Sequence, residues 1–210
     1  MVMGQNAVKS ALTIAESSKD YFRESLRDAL VQRRVETDPQ VEMYLVELLN
    51  HYLLTENLYN EGDPSGKKTR ETLAEMMLRA ANSSPKQRFE LLKKLGDSAL
   101  YISGFFADSF QRKVIDVDYY IDMGATASVS LSRELYEDSF AKMYMEIALK
   151  FNVFVDVFMF MGRKTMTSDQ DNILRLMEYQ SKVGSGVAQD ILLERGIYTN
   201  PQQLKLAKNQ

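Results

Sequence analysis

The sequence predicts an all-α fold, a single helical-bundle domain of about seven helices, and three observations carry that expectation. Apolar residues recur at i, i+3, i+4 and i+7 along most of the chain, which is the period of a helix and not of a strand. Strong helix formers are plentiful while Gly (10) and Pro (4) are few, so local preference agrees with the pattern. Cap residues stand where the apolar stripes begin and glycines where several of them end.

Val8, Ala11, Leu12 and Ala15 predict a short first helix. Ser17, with Asp20 three residues on, reads as a new N-terminus for a second helix that carries Phe22, Leu26, Ala29 and Leu30 and ends near Arg34. Asp38 and Pro39 are a cap and first-turn pair. The stripe they open, Val41, Tyr44, Leu45, Leu48, Leu49, Tyr52 and Leu53, predicts an antiparallel hairpin over 18–59. Residues 60–68, NEGDPSGKK, read as a loop and as the place for any boundary, with a main bundle over 69–196 and a polar, mobile tail over 197–210.

A shorter helix turns Leu73, Met76, Met77 and Ala80 inward. Ser84, Pro85 and Gln87 then specify the start of the next as a capping box. That helix carries small residues, Gly96, Ala99, Ser103, Gly104 and Ala107. Gly124, Ala125 and Ser128 repeat the theme in 117–131, so the two are expected to cross at a close contact. Val114 to Ile121, rich in β-branched and aromatic residues, has an extended alternative, but no partner strand is evident elsewhere.

The stretch 133–161 predicts one long central helix. Phe140, Ile147, Phe154 and Met161 recur every seven residues, and Tyr144, Phe151 and Phe158 sit three residues before the later members of that row. Ser132 is placed to cap it, Leu131 and Tyr136 to form a hydrophobic staple, and Gly162 to end it. Between Val153 and Met161 the only polar side chain is Asp156, so neighbouring helices should surround this half. A final helical run from Ser168 carries Ile173, Leu176, Met177, Val187 and Ile191. It is kinked or broken at Gly184 and Gly186 and closed by Gly196.

With 210 residues the chain can bury roughly 70% of its unfolded surface as one domain. A net charge of −3 and a pI near 5.4 argue against general nucleic-acid binding, which rests on clustered Lys and Arg. Zero cysteines exclude disulfides, thiolate zinc sites and cysteine nucleophiles, and suit a cytoplasmic setting. The longest apolar window is too short to span a bilayer, and no apolar run of signal-peptide length opens the sequence. Phosphate-cradling and nucleophile-elbow motifs are absent. The phrases YLVELLNHYL and LGDSALYISGFF resemble stretches of cytosolic bacterial helical proteins and imply no activity.

These exclusions favour a non-enzymatic protein-interaction, regulatory or scaffold role, with a protein partner or a second copy as the ligand and no catalytic residue or cofactor assigned. Tyr21, Tyr44, Tyr52 and Tyr59 on the hairpin are the candidate surface, since they exceed what one buried stripe needs. The competing reading is a Mg²⁺-dependent enzyme or small-molecule binder. Asp118 and Asp122 share a helix face at i and i+4, and Asp108, Glu134 and Glu146 are possible further ligands. A structural role explains the same acids more simply: Asp116 caps the helix and Asp118 occupies its first turn. His51, the sole histidine, rules out a ferritin-like carboxylate site, which needs two, and reads as a flank residue beside Tyr52. Asp156, if enclosed, needs a partner, with Arg112, Lys113 or a Tyr hydroxyl as the candidates.

Overall fold

The computed structural model describes residues 3–53, 71–105, 117–135, 139–163 and 170–198, with side chains described from Ser18 onward except those of 170–172 and 175. Among these residues there are nine helices and no strand: α1 (Met3–Gln32), α2 (Pro39–Tyr52), α3 (Leu73–Ala81), α4 (Pro85–Phe105), α5 (Val117–Glu134), α6 (Ser139–Leu149), α7 (Phe151–Gly162), α8 (Gln170–Val183) and α9 (Gly186–Glu194). The loop expected at 60–68 and the tail beyond Tyr198 lie outside the described residues.

α1 and α2 form the expected antiparallel hairpin, tied along its length by Arg27 to Glu42 (2.5 Å), Lys19 to Glu47 (2.7 Å) and Ser18 to Asn50 (2.6 Å). Asp38 caps α2 by accepting from the Gln40 N–H at 2.8 Å, with Pro39 at the first position. The anticipated restart at Ser17 does not occur: α1 runs unbroken through it. A cap signature is local, and a helix whose apolar period continues past one has no reason to stop there. α1 instead ends in a Schellman turn at Arg34, which takes a left-handed φ of 54°, with the Val35 N–H donating to the Leu30 carbonyl at 2.9 Å.

α3 turns Leu73, Met76 and Ala80 into the core, and its N-terminus is a full capping box between Thr72 and Glu75. At α4 the predicted box is partial, the Ser84 hydroxyl donating to the Gln87 side chain at 3.0 Å. α4 and α5 cross antiparallel at their small residues. A Cβ on Gly96 would lie 3.5 Å from Ser128 Oγ, and one on Gly124 would lie 2.9 Å from the Ala99 Cβ and overlap the Phe151 ring. Further along α4, Gly104 lets Phe158 of α7 sit directly on the backbone. Residues 117–121 are helical, so the extended alternative fails there.

The stretch 133–161 is not one helix. Residues 133 and 134 finish α5, and Ser132, far from capping a new helix, lies inside α5 and donates to the Ala141 carbonyl at 2.7 Å. Tyr136, the other half of the expected staple, lies outside the described residues. The remainder bends at Lys150, whose backbone (φ −107°, ψ 18°) leaves the helical region. The connection between α1 and α2 is seated at that corner. Lys150 Nζ donates to the Glu36 carbonyl (2.8 Å) and to Glu146 (2.9 Å), and Glu146 also accepts from the Thr37 hydroxyl (2.8 Å). Because Lys150 N–H still reaches the Glu146 carbonyl and Phe154 N–H the Lys150 carbonyl, the apolar phase passes through the bend unchanged.

α7 is the centre of the molecule, as its composition requires. Phe151, Phe154, Val155, Val157, Phe158 and Met159 are all buried, and α1, α4, α5, α6 and α9 pack around it. An aromatic row links it to the hairpin, from Tyr52 stacked on Tyr101 (4.9 Å between centroids) through Phe105 (5.3 Å) to Phe158 (5.5 Å). α8 and α9 are separated by Gly184 (φ 70°) and capped afresh by Ser185, which accepts from the Ala188 N–H at 3.0 Å. Among the described residues no helix is long and apolar enough to cross a membrane.

Candidate functional site

The N-terminal half of α5 places Asp118, Ile121, Asp122 and Ala125 on one face, at i, i+3, i+4 and i+7. That face forms one wall of a cavity of about 350 Å³; Ala148, Phe151 and Asn152, from the α6–α7 corner, and Lys182 and Val183 from α8 form the rest. The half-buried Ile121, Ala125, Ala148 and Val183 and the buried Phe151 supply its apolar surface, which is the smaller part of an open, mostly polar lining. The polar lining groups are half-buried Asp118 and exposed Asp122 on α5, exposed Asn152 on α7, and Lys182, which donates to Glu178 at 2.6 Å. Asp118 and Asp122 line the same side of the cavity, as their i, i+4 spacing requires. Asn152 and Lys182 carry no local signal and reach the same cavity only through packing.

The other proposed metal ligands go elsewhere. Glu134 pairs with Arg88 Nε at 2.7 Å, and Glu146 is engaged by Lys150, Thr37 and the Asp38 N–H. Asp108 and Asp116 lie outside the described residues. Among the described residues no three His, Cys, Asp or Glu side chains gather as a metal site.

The tyrosine surface needs correction. Tyr21 is 65% exposed as expected, but Tyr52 is only 1% exposed and shares a hydrogen bond with Ser98 at 2.9 Å. Tyr44 points inward to donate to buried Asp97, which also receives Lys93 Nζ at 2.5 Å. Both belong to the inner stripe of α2, and its helical phase outweighs their polar tips. Burial, and then the Asp97 charge, push the Tyr44 hydroxyl well above its ordinary range, and burial pushes Tyr144 beside it up to about 12. Neither phenol is primed to act as a base near neutral pH. Tyr59 lies outside the described residues, and His51 is an exposed flank residue edge-on to the Tyr52 ring.

Asp156 has the partner its enclosure demands, but that partner is Arg33, from the end of α1, at 3.1 Å. Arg112 and Lys113 lie outside the described residues. Arg33 also binds Asp190 of α9 at 2.6 Å. Asp156 Oδ1 accepts from the Ser185 hydroxyl (2.5 Å) and the Val187 N–H (3.2 Å), so its charge lies at the N-terminus of α9, where the helix dipole favours it. A Cβ on Gly186 would overlap the Arg33 guanidinium, so glycine there gives the arginine its passage. Sequence reasoning missed Arg33 because it lies 123 residues from Asp156.

One exposed face of the hairpin remains. Tyr21, Glu24, Asp28 and Val31 fall within one side of α1, opposite the inward Phe22, Leu26, Ala29 and Leu30, and all four are exposed, Val31 at 73%. The chain matches no family model, no curated protein and no solved structure.

Proposed function

We propose that this chain is a non-enzymatic interaction protein of the cytoplasm that binds a protein partner, a second copy included, through the outer face of α1. The observation that carries the reading is the stripe Tyr21–Glu24–Asp28–Val31, with an apolar side chain at each end and two acids between them. Neighbouring charges on the hairpin are engaged, Arg23 with Asp20 and Arg27 with Glu42, which leaves this stripe acidic. A partner face with basic residues between apolar ones fits it, and nucleic acid does not. Tyr21 is the kind of residue that supplies contact area at low entropic cost.

The test is light scattering across a concentration series together with affinity capture, using the parent chain and a Tyr21→Ser/Val31→Ser double variant. Both positions are exposed, so the variant should fold normally and lose self-association or the captured partner. A parent chain that stays monomeric at all concentrations and captures nothing that the variant fails to capture would refute the reading.

A second reading, of a small-molecule binder, is favoured by the cavity between α5, the α6–α7 corner and α8. Mg²⁺ held by Asp118 and Asp122 is the metal form of that reading.

A further inference from the structure

Among the described residues, three buried side-chain nitrogen or oxygen atoms have no hydrogen-bond partner: Arg33 Nε, Gln180 Oε1 and Arg195 Nη1. All three belong to one seam. Gln180 is on α8, Arg195 is the C-cap of α9, and Arg33 reaches across from the end of α1 to Asp190 of α9. A buried polar group without a partner has forfeited its hydration, and it recovers that only when water reaches it. The cost of burial is therefore concentrated where α8 and α9 meet the rest of the molecule. From this placement we infer that α8 and α9 form a cover over the central helix, one that opens as a unit while α1 to α7 stay folded.

α8 packs mainly on α9, so the two move together, while α9 rests on α7 and α8 on α5. The polar anchors of the pair include Arg33 to Asp190 (2.6 Å), Arg163 to Glu194, the Tyr179 hydroxyl to the Ser103 carbonyl of α4, and the Ser185 hydroxyl to Asp156 (2.5 Å). The side chains of Asp190 and Glu194 are 48% and 58% exposed, so these two ion pairs are weak clasps. Val187, Ala188 and Leu192 are fully buried, and that apolar face keeps the cover closed. Closure therefore prevails, but by a margin that the three unmet groups reduce, and elements that open locally are drawn from such low-stability parts of a fold. Opening bares Met159 of α7, which is 1% exposed and lies 3.6 Å from the Ser185 hydroxyl, and gives water access to the Arg33 guanidinium.

The experiment is native-state hydrogen exchange of the full chain across low urea concentrations, with two variants. In the parent, the amides of α8 and α9 should exchange together, about tenfold or more faster than the slowest amides of α2, α4 and α5, and with a shallower urea dependence because less surface is exposed. Gln180→Leu replaces the unmet amide with hydrocarbon of similar size and should slow exchange in α8 and α9 about fivefold. Thr72→Ala removes the cap of α3, outside the cover, and should speed the slowest amides of α4 and α5 about fivefold while leaving α8 and α9 unchanged. That contrast identifies a separate opening, since helices that open only with the whole molecule would follow the cap variant. Equal rates and urea slopes throughout the parent, or α8 and α9 amides that speed up with Thr72→Ala, would overturn the inference. Faster opening in Gln180→Leu than in the parent would overturn it too, because the unmet oxygen would then not be what weakens the seam.

Discussion

At the scale of single residues, Arg33 and Asp156 show how a buried charge is tolerated. Their side chains are 18% and 17% exposed, and neither depends on one contact alone, since Asp190 also holds the arginine while Ser185 and Val187 also hold the aspartate. Breaking a fully buried pair by removing one partner costs roughly 3–5 kcal/mol. Here Asp156→Asn keeps an oxygen for Ser185 and the Val187 N–H, and Arg33 keeps Asp190, so the expected loss is about 1–2 kcal/mol. Asp156→Ala also removes the acceptor at the start of α9 and should cost more, about 3 kcal/mol. Urea denaturation of both variants checks the order, and equal stability of the two would show that the contacts with Ser185 and Val187 contribute nothing. The sequence makes the need for a partner legible, because a lone acid in an apolar helix must be met. It cannot choose the partner, since three segments far apart in sequence, at 33, 156 and 185–190, converge only in the folded molecule.

Among elements, the packing of α4 is decided by which glycines face a backbone and which face space. Gly104 lies against the Phe158 Cβ, an atom fixed to the α7 backbone, whereas Gly96 meets nothing closer than Ser128 Oγ at 3.5 Å. Gly104→Ala must therefore push α4 and α7 apart and should destabilise by about 2 kcal/mol, within the range for overpacked cores. Gly96→Ala should be neutral or stabilising by up to about 1 kcal/mol, because alanine is the better helix former and the space is there. Comparing the two midpoints in urea tests the assignment, and a reversed order would refute it. Both glycines belong to the small-residue row visible in the sequence, so the close crossing was legible but the partner of each glycine was not. The same division holds elsewhere. Stripes and the Asp38–Pro39 cap located the start of α2 to the residue because periodicity and capping are local. The bend at Lys150 escaped because a one-residue break leaves the apolar phase intact, and the wall of Asn152 and Lys182 opposite Asp118 escaped because only tertiary packing assembles it.

For the molecule as a whole, two polar clusters join helices far apart in the chain, and their ionisation should set the limits of stability in pH. On the acid side, burial alone would raise the Glu146 carboxyl, but hydrogen bonds from Lys150, Thr37 and the Asp38 N–H outweigh it and hold the group below its ordinary value. A group with a lowered folded-state pKa contributes stability above its unfolded value and loses it as pH falls through the folded one. Acidification should therefore loosen the α1–α2 connection from the α6–α7 corner. On the alkaline side the sign reverses. Tyr44 of α2 and Tyr144 of α6, packed edge-on at 5.5 Å beside Asp97 of α4, both have raised values, Tyr144 at about 12. The unfolded chain releases those protons near pH 10 while the folded chain holds them, so stability is intact below about pH 10 and falls steadily as pH rises towards 12. Tyr144→Phe keeps the ring against Tyr44 and Phe89 but has no proton to lose. Melting temperatures measured from neutral pH to pH 12 should fall less steeply for Tyr144→Phe than for the parent above pH 10, with the two curves parallel below it. Parallel curves across the whole range would mean that the alkaline limit is set elsewhere and that this three-helix cluster does not control it.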